Sequence, residues 1–194
     1  MAMGNKYGAH RVIEPKGLLP QAAQKIDNDM EIYDNEILID VSSLNIDSAS
    51  FRQLWDASEQ DEDRLKAMVL EIVNTRGKMQ NPVTGSGGML MGTIEKMGPA
   101  LSDRKDIKAG DRIATLVSLS LTPLRIDEIL AVHPEIERLD IKGKAILFES
   151  GIYAKLPDDM PEALALAALD VAGAPAQTAN LVKPGDSVLI LGAG

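Results

Sequence analysis

Residues able to hold a pyrophosphate, a proton or a carboxylate are spread unevenly along this chain. The segment Val188-Leu189-Ile190-Leu191-Gly192-Ala193-Gly194 runs apolar side chains into Gly-x-Gly. Such glycines let a backbone approach a pyrophosphate, which then rests at the N-terminus of a following helix. Gly192 and Gly194 are therefore candidate cofactor-binding residues, although an ordinary strand-to-turn glycine pair reads the same way. Ser86 lies in Gly85-Ser86-Gly87-Gly88, where a close backbone and a hydroxyl could meet a substrate amine or carboxylate. A flexible turn ahead of a strand is the other reading. Just before it stand Arg76, Lys78 and Asn81. A substrate carboxylate favours an arginine fork or a lysine, whereas most loop charges are simply solvated. Asp170 is a carboxylate in the apolar run LALAALDVAGA. Buried there it needs a partner or a proton, so it is a candidate base, or else a helix-end residue bonded to backbone or lysine. His10 could relay a proton near neutral pH, and Tyr7, Arg11 and Glu14 share its string. His133, in the charged stretch AVHPEIERLD, reads as a surface residue. Asp47, beside Ser48, is suited to cap a helix over 48–57.

The elements that must position these residues follow from periodicity and turn chemistry. Glu36 to Asp47 alternates, with Ile37, Ile39 and Val41 on one face, and predicts a strand. In Glu62 to Thr75, Leu65, Met68, Val69, Ile72 and Val73 form one helical stripe. Residues 77–88 form a loop, and Met89 to Met97 a strand. The turn Lys108-Ala109-Gly110-Asp111 feeds a strand predicted over Arg112 to Leu121, and short strands are expected at Lys144 to Glu149 and Ile152 to Leu156. Helices are expected from Pro161 to about Val171 and from Ala176 to Leu181. Lys183-Pro184-Gly185-Asp186 repeats the Lys-x-Gly-Asp chemistry ahead of a strand at Ser187 to Leu191. The order suggests an α+β body joined to the start of an α/β domain: an extended N-terminal arm over 1–35, a body over 36–160, and connecting helices with a first strand over 161–194.

Composition narrows the function. Twenty Lys and Arg against 29 Asp and Glu leave a net charge of −9, which disfavours a nucleic-acid partner. With no cysteine there is no disulfide, thiolate zinc ligand or cysteine nucleophile, and two histidines cannot build a histidine-rich metal cage. No apolar N-terminal core marks a secretory signal, and Glu162, Asp170, Pro161 and Pro175 bound or break the most apolar window. A cytoplasmic protein without a membrane partner is expected.

The strings EILIDVSSLNID, GSGGMLMGTIEKMG, IKAGDRIATL and AGAPAQTANLVKPGDSVLILGAG resemble the medium-chain dehydrogenase/reductases. Longer strings, KYGAHRVIEPKGLLPQ, DNDMEIYDNEILIDVSSLNIDSASF and RGKMQNPVTGSGGMLMG, resemble the L-erythro-3,5-diaminohexanoate dehydrogenase family within them. The resemblance implies a GroES-like, partly open β-barrel catalytic domain followed by the first strand of a Rossmann domain. The chain would then be the N-terminal portion of a longer enzyme, a homodimer at full length. It implies an NAD- or NADP-dependent oxidative deamination in lysine fermentation, from 3,5-diaminohexanoate to 5-amino-3-oxohexanoate and ammonia. The zinc-ligand positions of the superfamily fall on Asp47-Ser48, Gly85-Ser86-Gly87 and Ala174, none of which offers an imidazole or thiolate, so a zinc-free enzyme is implied. Asp47 would face the substrate as base or ammonium partner, unless it only caps its helix. Thr178 matches a threonine that contacts nicotinamide, with a helix N-cap as the alternative. Arm residues such as His10 and Arg11 would close over the cleft. Without a Lewis acid, an amine is easier to oxidise than an alcohol, provided the protein supplies a base, a counter-ion for the second ammonium and an activator of water. Two alternatives remain at this point: a zinc-free quinone or enoyl reductase, which Asn45 resembles, and a GroES-like module without activity of its own.

Overall fold

A computed structural model describes residues 2–157, 159, 164–165, 168–169 and 173–190. The chain divides into two units, Met1–Leu156 and Pro157–Gly194. It is a mixed α and β protein.

The first unit is organised by β3 (Glu36–Ile46), which pairs antiparallel with β4 (Gly88–Met97) on one side and β7 (Arg138–Phe148) on the other. With β5 (Arg112–Thr115), β6 (Leu124–His133) and β8 (Tyr153–Lys155) these make a six-stranded sheet in the order β6-β7-β3-β4-β5-β8. All its pairings are antiparallel, and β6 and β8 remain as edges, so the sheet is open. The alternation in β3 explains its central place. Ile37, Ile39 and Val41 point into the core, a bulge between Val41 and Ser43 shifts the phase by one residue, and Leu44 and Ile46 return to the same core.

Two helices follow β3. Helix α1 (Ser48–Ala57) buries Ser50, Phe51 and Leu54. Helix α2 (Glu62–Arg76) buries Leu65, Val69 and Val73, while Met68 and Ile72 pack half-buried on the same core. The ends of α2 are set by sequence. The Asp61 carboxylate accepts the Arg64 N–H at 2.9 Å, acidic residues fill the first turn, and Gly77 closes the last at φ +74° with its N–H on the Val73 carbonyl at 2.7 Å. A side chain at Gly77 would lie 2.1 Å from the Ile26 carbonyl oxygen, so glycine is required for packing as well as for conformation.

Residues 1–35 carry a short hairpin, β1 (Val12–Glu14) with β2 (Lys25–Ile26), and a 3-10 turn at Ala9–Arg11. Val12, Ala23 and Ile26 form a small core of their own.

Three elements differ from the sequence-based expectation. The strand predicted over Arg112 to Leu121 stops at Thr115, because Ser118 caps a 3-10 turn at Leu119–Leu121 by accepting the Ser120 N–H at 3.2 Å. The stretch 123–150 is a long hairpin of β6 and β7 rather than short pieces. Its alternation is broken by bulges at Ile126/Glu128 and Ile129/Ala131, which hide the period of two. Residues 186–190 form no strand ladder, and Val188, Leu189 and Ile190 are exposed. An apolar run becomes a strand only when neighbouring strands complete its hydrogen bonds.

In the second unit, helix α3 (Gly173–Leu181) precedes the Lys183–Asp186 turn. Both Lys-x-Gly-Asp turns close alike: the lysine N–H donates to the aspartate carboxylate at 2.9 and 2.8 Å, and the aspartate N–H to the lysine carbonyl at 3.1 and 3.0 Å. Gly110 and Gly185 take φ of +90° and +99° there. No helix among the described residues is long and apolar enough to cross a membrane.

Candidate active site

The start of α1 gathers the polar groups that are free to act. Asp47 is its N-cap, and the Oδ1 oxygen accepts from Ala49 N–H at 3.2 Å, Ser50 N–H at 3.4 Å and Ser86 Oγ at 3.0 Å. Among the described residues no hydrogen bond reaches Oδ2, and Asp47 is exposed. Capping and substrate contact are thus compatible: one oxygen holds the helix and the other carries no hydrogen bond among the described residues.

Ser86 joins a cluster of hydroxyls. Its Oγ lies 2.7 Å from Ser50 Oγ, which in turn lies 2.5 Å from Thr84 Oγ1, and Thr84 Oγ1 is 3.4 Å from Ser86 Oγ. The loop is held in this shape by Asn81. That side chain donates to Gln53 Oε1 at 2.7 Å and to the Ser50 carbonyl at 3.3 Å, and accepts from Val83 N–H at 2.8 Å. Gly87 and Gly88 are needed where the loop meets the sheet. A Cβ at Gly87 would lie 2.6 Å from Ser120 N, and one at Gly88, which has φ +115°, would lie 2.0 Å from the Asn45 carbonyl oxygen. A second carboxylate stands at the same helix start: Ser48 Oγ donates to Glu137 Oε2, and the Ile46 N–H donates to the Glu137 carbonyl at 3.0 Å. Glu137 takes φ +57° in the turn between β6 and β7.

The other residues proposed from sequence lie elsewhere. Arg11 is buried, and its guanidinium grips Glu36 with two parallel bonds, Nε to Oε1 at 2.8 Å and Nη2 to Oε2 at 2.7 Å. Its other donors reach the Asp29 and Glu31 carbonyls, each at 2.7 Å. His10 Nδ1 accepts the Asn5 N–H at 2.9 Å, so neutral His10 carries its proton on Nε2, 2.9 Å from Glu36 Oε1. Burial pushes the Glu36 carboxyl up, but the Arg11 bonds, the Tyr33 N–H and the charges of Arg11 and His10 outweigh it, and the net shift is downward. These contacts pin the N-terminal segment to the start of β3 and leave Arg11 no open fork for a substrate.

Lys78 is wholly buried, and Nζ donates to the Pro20 carbonyl at 2.6 Å and the Gln21 carbonyl at 3.4 Å. Burial, and then the charge of nearby Arg76, lower it to about 8. Arg76 donates to the Gln80 carbonyl at 2.8 Å and lines a groove of about 350 Å³ between α1, α2 and residues 82–83, which neither Asp47 nor Ser86 lines. The structure therefore brings Asp47 and Ser86 together, while His10, Arg11, Lys78 and Arg76 are engaged elsewhere.

Thr178 lies inside α3 and is exposed; its carbonyl accepts the Val182 N–H at 2.9 Å, so it is not an N-cap. Asp170, Gly192 and Gly194 lie outside the described residues. Among the described residues no group of three or more His, Cys, Asp or Glu side chains could hold a metal ion. Asp47, Ser50, Thr84 and Ser86 together offer one carboxylate and three hydroxyl groups, a poor donor set for zinc.

Sequence reasoning passed over Ser50, Thr84 and Glu137. Ser50 could have been found, since it follows the cap by three residues, where a helix places it back over the cap. Thr84 sits two residues before Ser86. Glu137 carried no such signal, being 89 residues from Ser48.

Residues 10–157 match the family model described as the L-erythro-3,5-diaminohexanoate dehydrogenase N-terminal domain. The chain belongs to this family. It is 72% identical over 190 residues to the L-erythro-3,5-diaminohexanoate dehydrogenase of Acetoanaerobium sticklandii, covering 98% of this chain and 55% of that protein. It is 70% identical over 192 residues to the enzyme of the same name from Fusobacterium nucleatum subsp. nucleatum, covering 99% of this chain and 56% of that protein. The chain thus spans about half the length of the curated relatives it matches.

Proposed function

We propose that this chain supplies the substrate-binding and proton-transfer part of an NAD- or NADP-dependent dehydrogenase that oxidatively deaminates 3,5-diaminohexanoate to 5-amino-3-oxohexanoate and ammonia. The observation that carries this reading is identity of 72% and 70% extending across nearly the whole chain. The site adds chemical sense. Asp47 Oδ2 takes a proton from the C3 ammonium and leaves a free amine, whose lone pair assists loss of hydride from C3. A nicotinamide, when bound, accepts that hydride. Water adds to the resulting iminium carbon, Asp47 returns its proton to the departing nitrogen, and the carbonyl forms. One ammonium substrate and one water thus give a ketone, ammonium, a hydride transferred and one proton released. Glu137 and the overall charge of −9 favour a dication at the helix start.

The finer fold assignment, a GroES-like body followed by the opening of a Rossmann domain that dimerises, belongs to the same proposal. The turn at Lys183–Asp186 feeding the apolar run 187–191 supports it. Gly192, Gly194 and Thr178 would serve the cofactor, Asp170 would be a second base near it, and no zinc would take part. A cytoplasmic setting completes the reading.

The test uses the protein extended to the length of its relatives. Incubated with the diamine and either NAD⁺ or NADP⁺, it releases ammonia and reduced nicotinamide in equal amounts. Absence of turnover with both cofactors, together with reduction of a quinone or enoyl thioester, overturns the proposal. Asp47→Asn keeps a good helix cap but removes the base, so kcat falls by roughly 10²–10⁴ with the fold intact.

A further inference from the structure

Three hydroxyl protons serve four contacts in the hydroxyl cluster, so the longest, 3.4 Å between Thr84 and Ser86, goes without one. Ser86 Oγ donates to the Asp47 carboxylate, so its single proton is committed. The contact between Ser50 and Ser86 must then use the Ser50 proton, and the contact between Thr84 and Ser50 must use the Thr84 proton. The chain runs one way: Thr84 to Ser50 to Ser86 to Asp47. Every hydroxyl proton is spent inward; Thr84 Oγ1 also accepts the Ser86 N–H at 3.4 Å, so Thr84, which is exposed, keeps one lone pair for a ligand.

The site therefore ends in two acceptors and no hydroxyl donor, Asp47 Oδ2 at one end and Thr84 Oγ1 at the other. Contacts of 3.4 and 3.0 Å in series, through Ser86 Oγ, hold Thr84 Oγ1 within about 6.4 Å of Asp47 Oδ1, and therefore within about 9 Å of Oδ2 given ordinary carboxylate geometry. Two ammonium groups on carbons separated by one methylene are at most about 5 Å apart, given ordinary bond lengths. Each nitrogen needs an acceptor at about 2.8 Å, so such a pair spans the two acceptors without strain. Glu137 adds charge to the same helix start, but charge alone does not measure the spacing of two amines; a fixed neutral acceptor does.

Resting on the proposed diamine chemistry, we infer that Thr84 Oγ1 accepts a hydrogen bond from the non-reacting C5 ammonium while Asp47 takes the proton of the C3 ammonium, which makes Thr84 a specificity-determining residue. Ser50 and Ser86 are positioning residues: they orient Thr84 by consuming its proton.

The experiment compares 3,5-diaminohexanoate with 3-aminohexanoate, which lacks the second amine, in the enzyme extended to its relatives' length. Wild type prefers the diamine in kcat/KM. Thr84→Val lowers kcat/KM for the diamine about tenfold more than for the monoamine, chiefly through KM, as expected for loss of a hydrogen bond to a charged group. Thr84→Ser keeps the oxygen and restores the preference. An equal loss on both substrates, or no loss on either, overturns the inference while the diamine activity of wild type stands. Absence of diamine turnover in wild type with either cofactor overturns the functional reading, and this inference with it.

Discussion

Replacing Arg11 by methionine tests whether the N-terminal segment is a structural part of the first unit. Arg11 and Glu36 side chains are each only 1% exposed, and they meet in two bonds of 2.8 and 2.7 Å. Arg11→Met leaves a buried carboxylate facing only His10 and the Tyr33 N–H, and frees the Asp29 and Glu31 carbonyls. Removing one partner of such a pair costs roughly 3–5 kcal/mol. For a chain of this size each kcal/mol lowers Tm by about 2–4 °C, so a fall of roughly 6–20 °C is expected. Trp55 is the only tryptophan and packs against the main core, so its fluorescence in urea follows unfolding of this unit. Adding Glu36→Gln removes the orphaned charge, although its single carbonyl oxygen accepts from only one of His10 and Tyr33, and recovers at least about 1 kcal/mol. The acid limb gives an independent check. The folded Glu36 carboxyl sits below its ordinary value of 4.5, so the stability it contributes is complete above that pH and is lost as pH falls through the folded value. In Glu36→Gln that loss disappears. A cost for Arg11→Met under about 1 kcal/mol, or a double variant no more stable than the single one, refutes the argument.

Other consequences are equally open to measurement. Lys78 is lowered from 10.5 to about 8, so folding favours its neutral form and its contribution to stability rises between those values. The difference in urea midpoint between wild type and Lys78→Met therefore shifts in favour of wild type as pH rises from 7.5 to 10; a constant difference shows that the lysine titrates as in water. Gly88→Ala places a methyl 2.0 Å from the Asn45 carbonyl at φ +115°, and a loss of roughly 3–5 kcal/mol is expected. Gly85→Ala, at φ +74° but in open space, should cost only about 1 kcal/mol, and equal losses would mean that crowding at Gly88 is relieved.

Some of this architecture was written plainly in the residues. The alternation of Ile37, Ile39 and Val41, the stripe of α2 and its Asp61 and Gly77 ends specify β3 and α2 locally. The hairpin of β6 and β7 is less legible, because two bulges put its apolar residues out of phase and charged pairs such as Lys142 with Glu128 dominate its exposed face. Of the site, spacing alone marks Asp47 as a cap; its meeting with Ser86, 39 residues on, followed only from family resemblance. Arg11 and Lys78 look like surface charges in sequence. Their burial depends on partners 25 and 58 residues away, and no local pattern encodes such distances.

The pairing of β3 with β7 has a further consequence during synthesis. Glu36 lies opposite Phe148, so the central strand cannot complete its sheet until 112 more residues have been made. At about 5–20 residues per second, that leaves its apolar edge open for roughly 5–20 s on the ribosome. Over that interval Ile37, Ile39 and Val41 offer a ready surface for a holding chaperone, and codon speed between β4 and β7 becomes a determinant of yield.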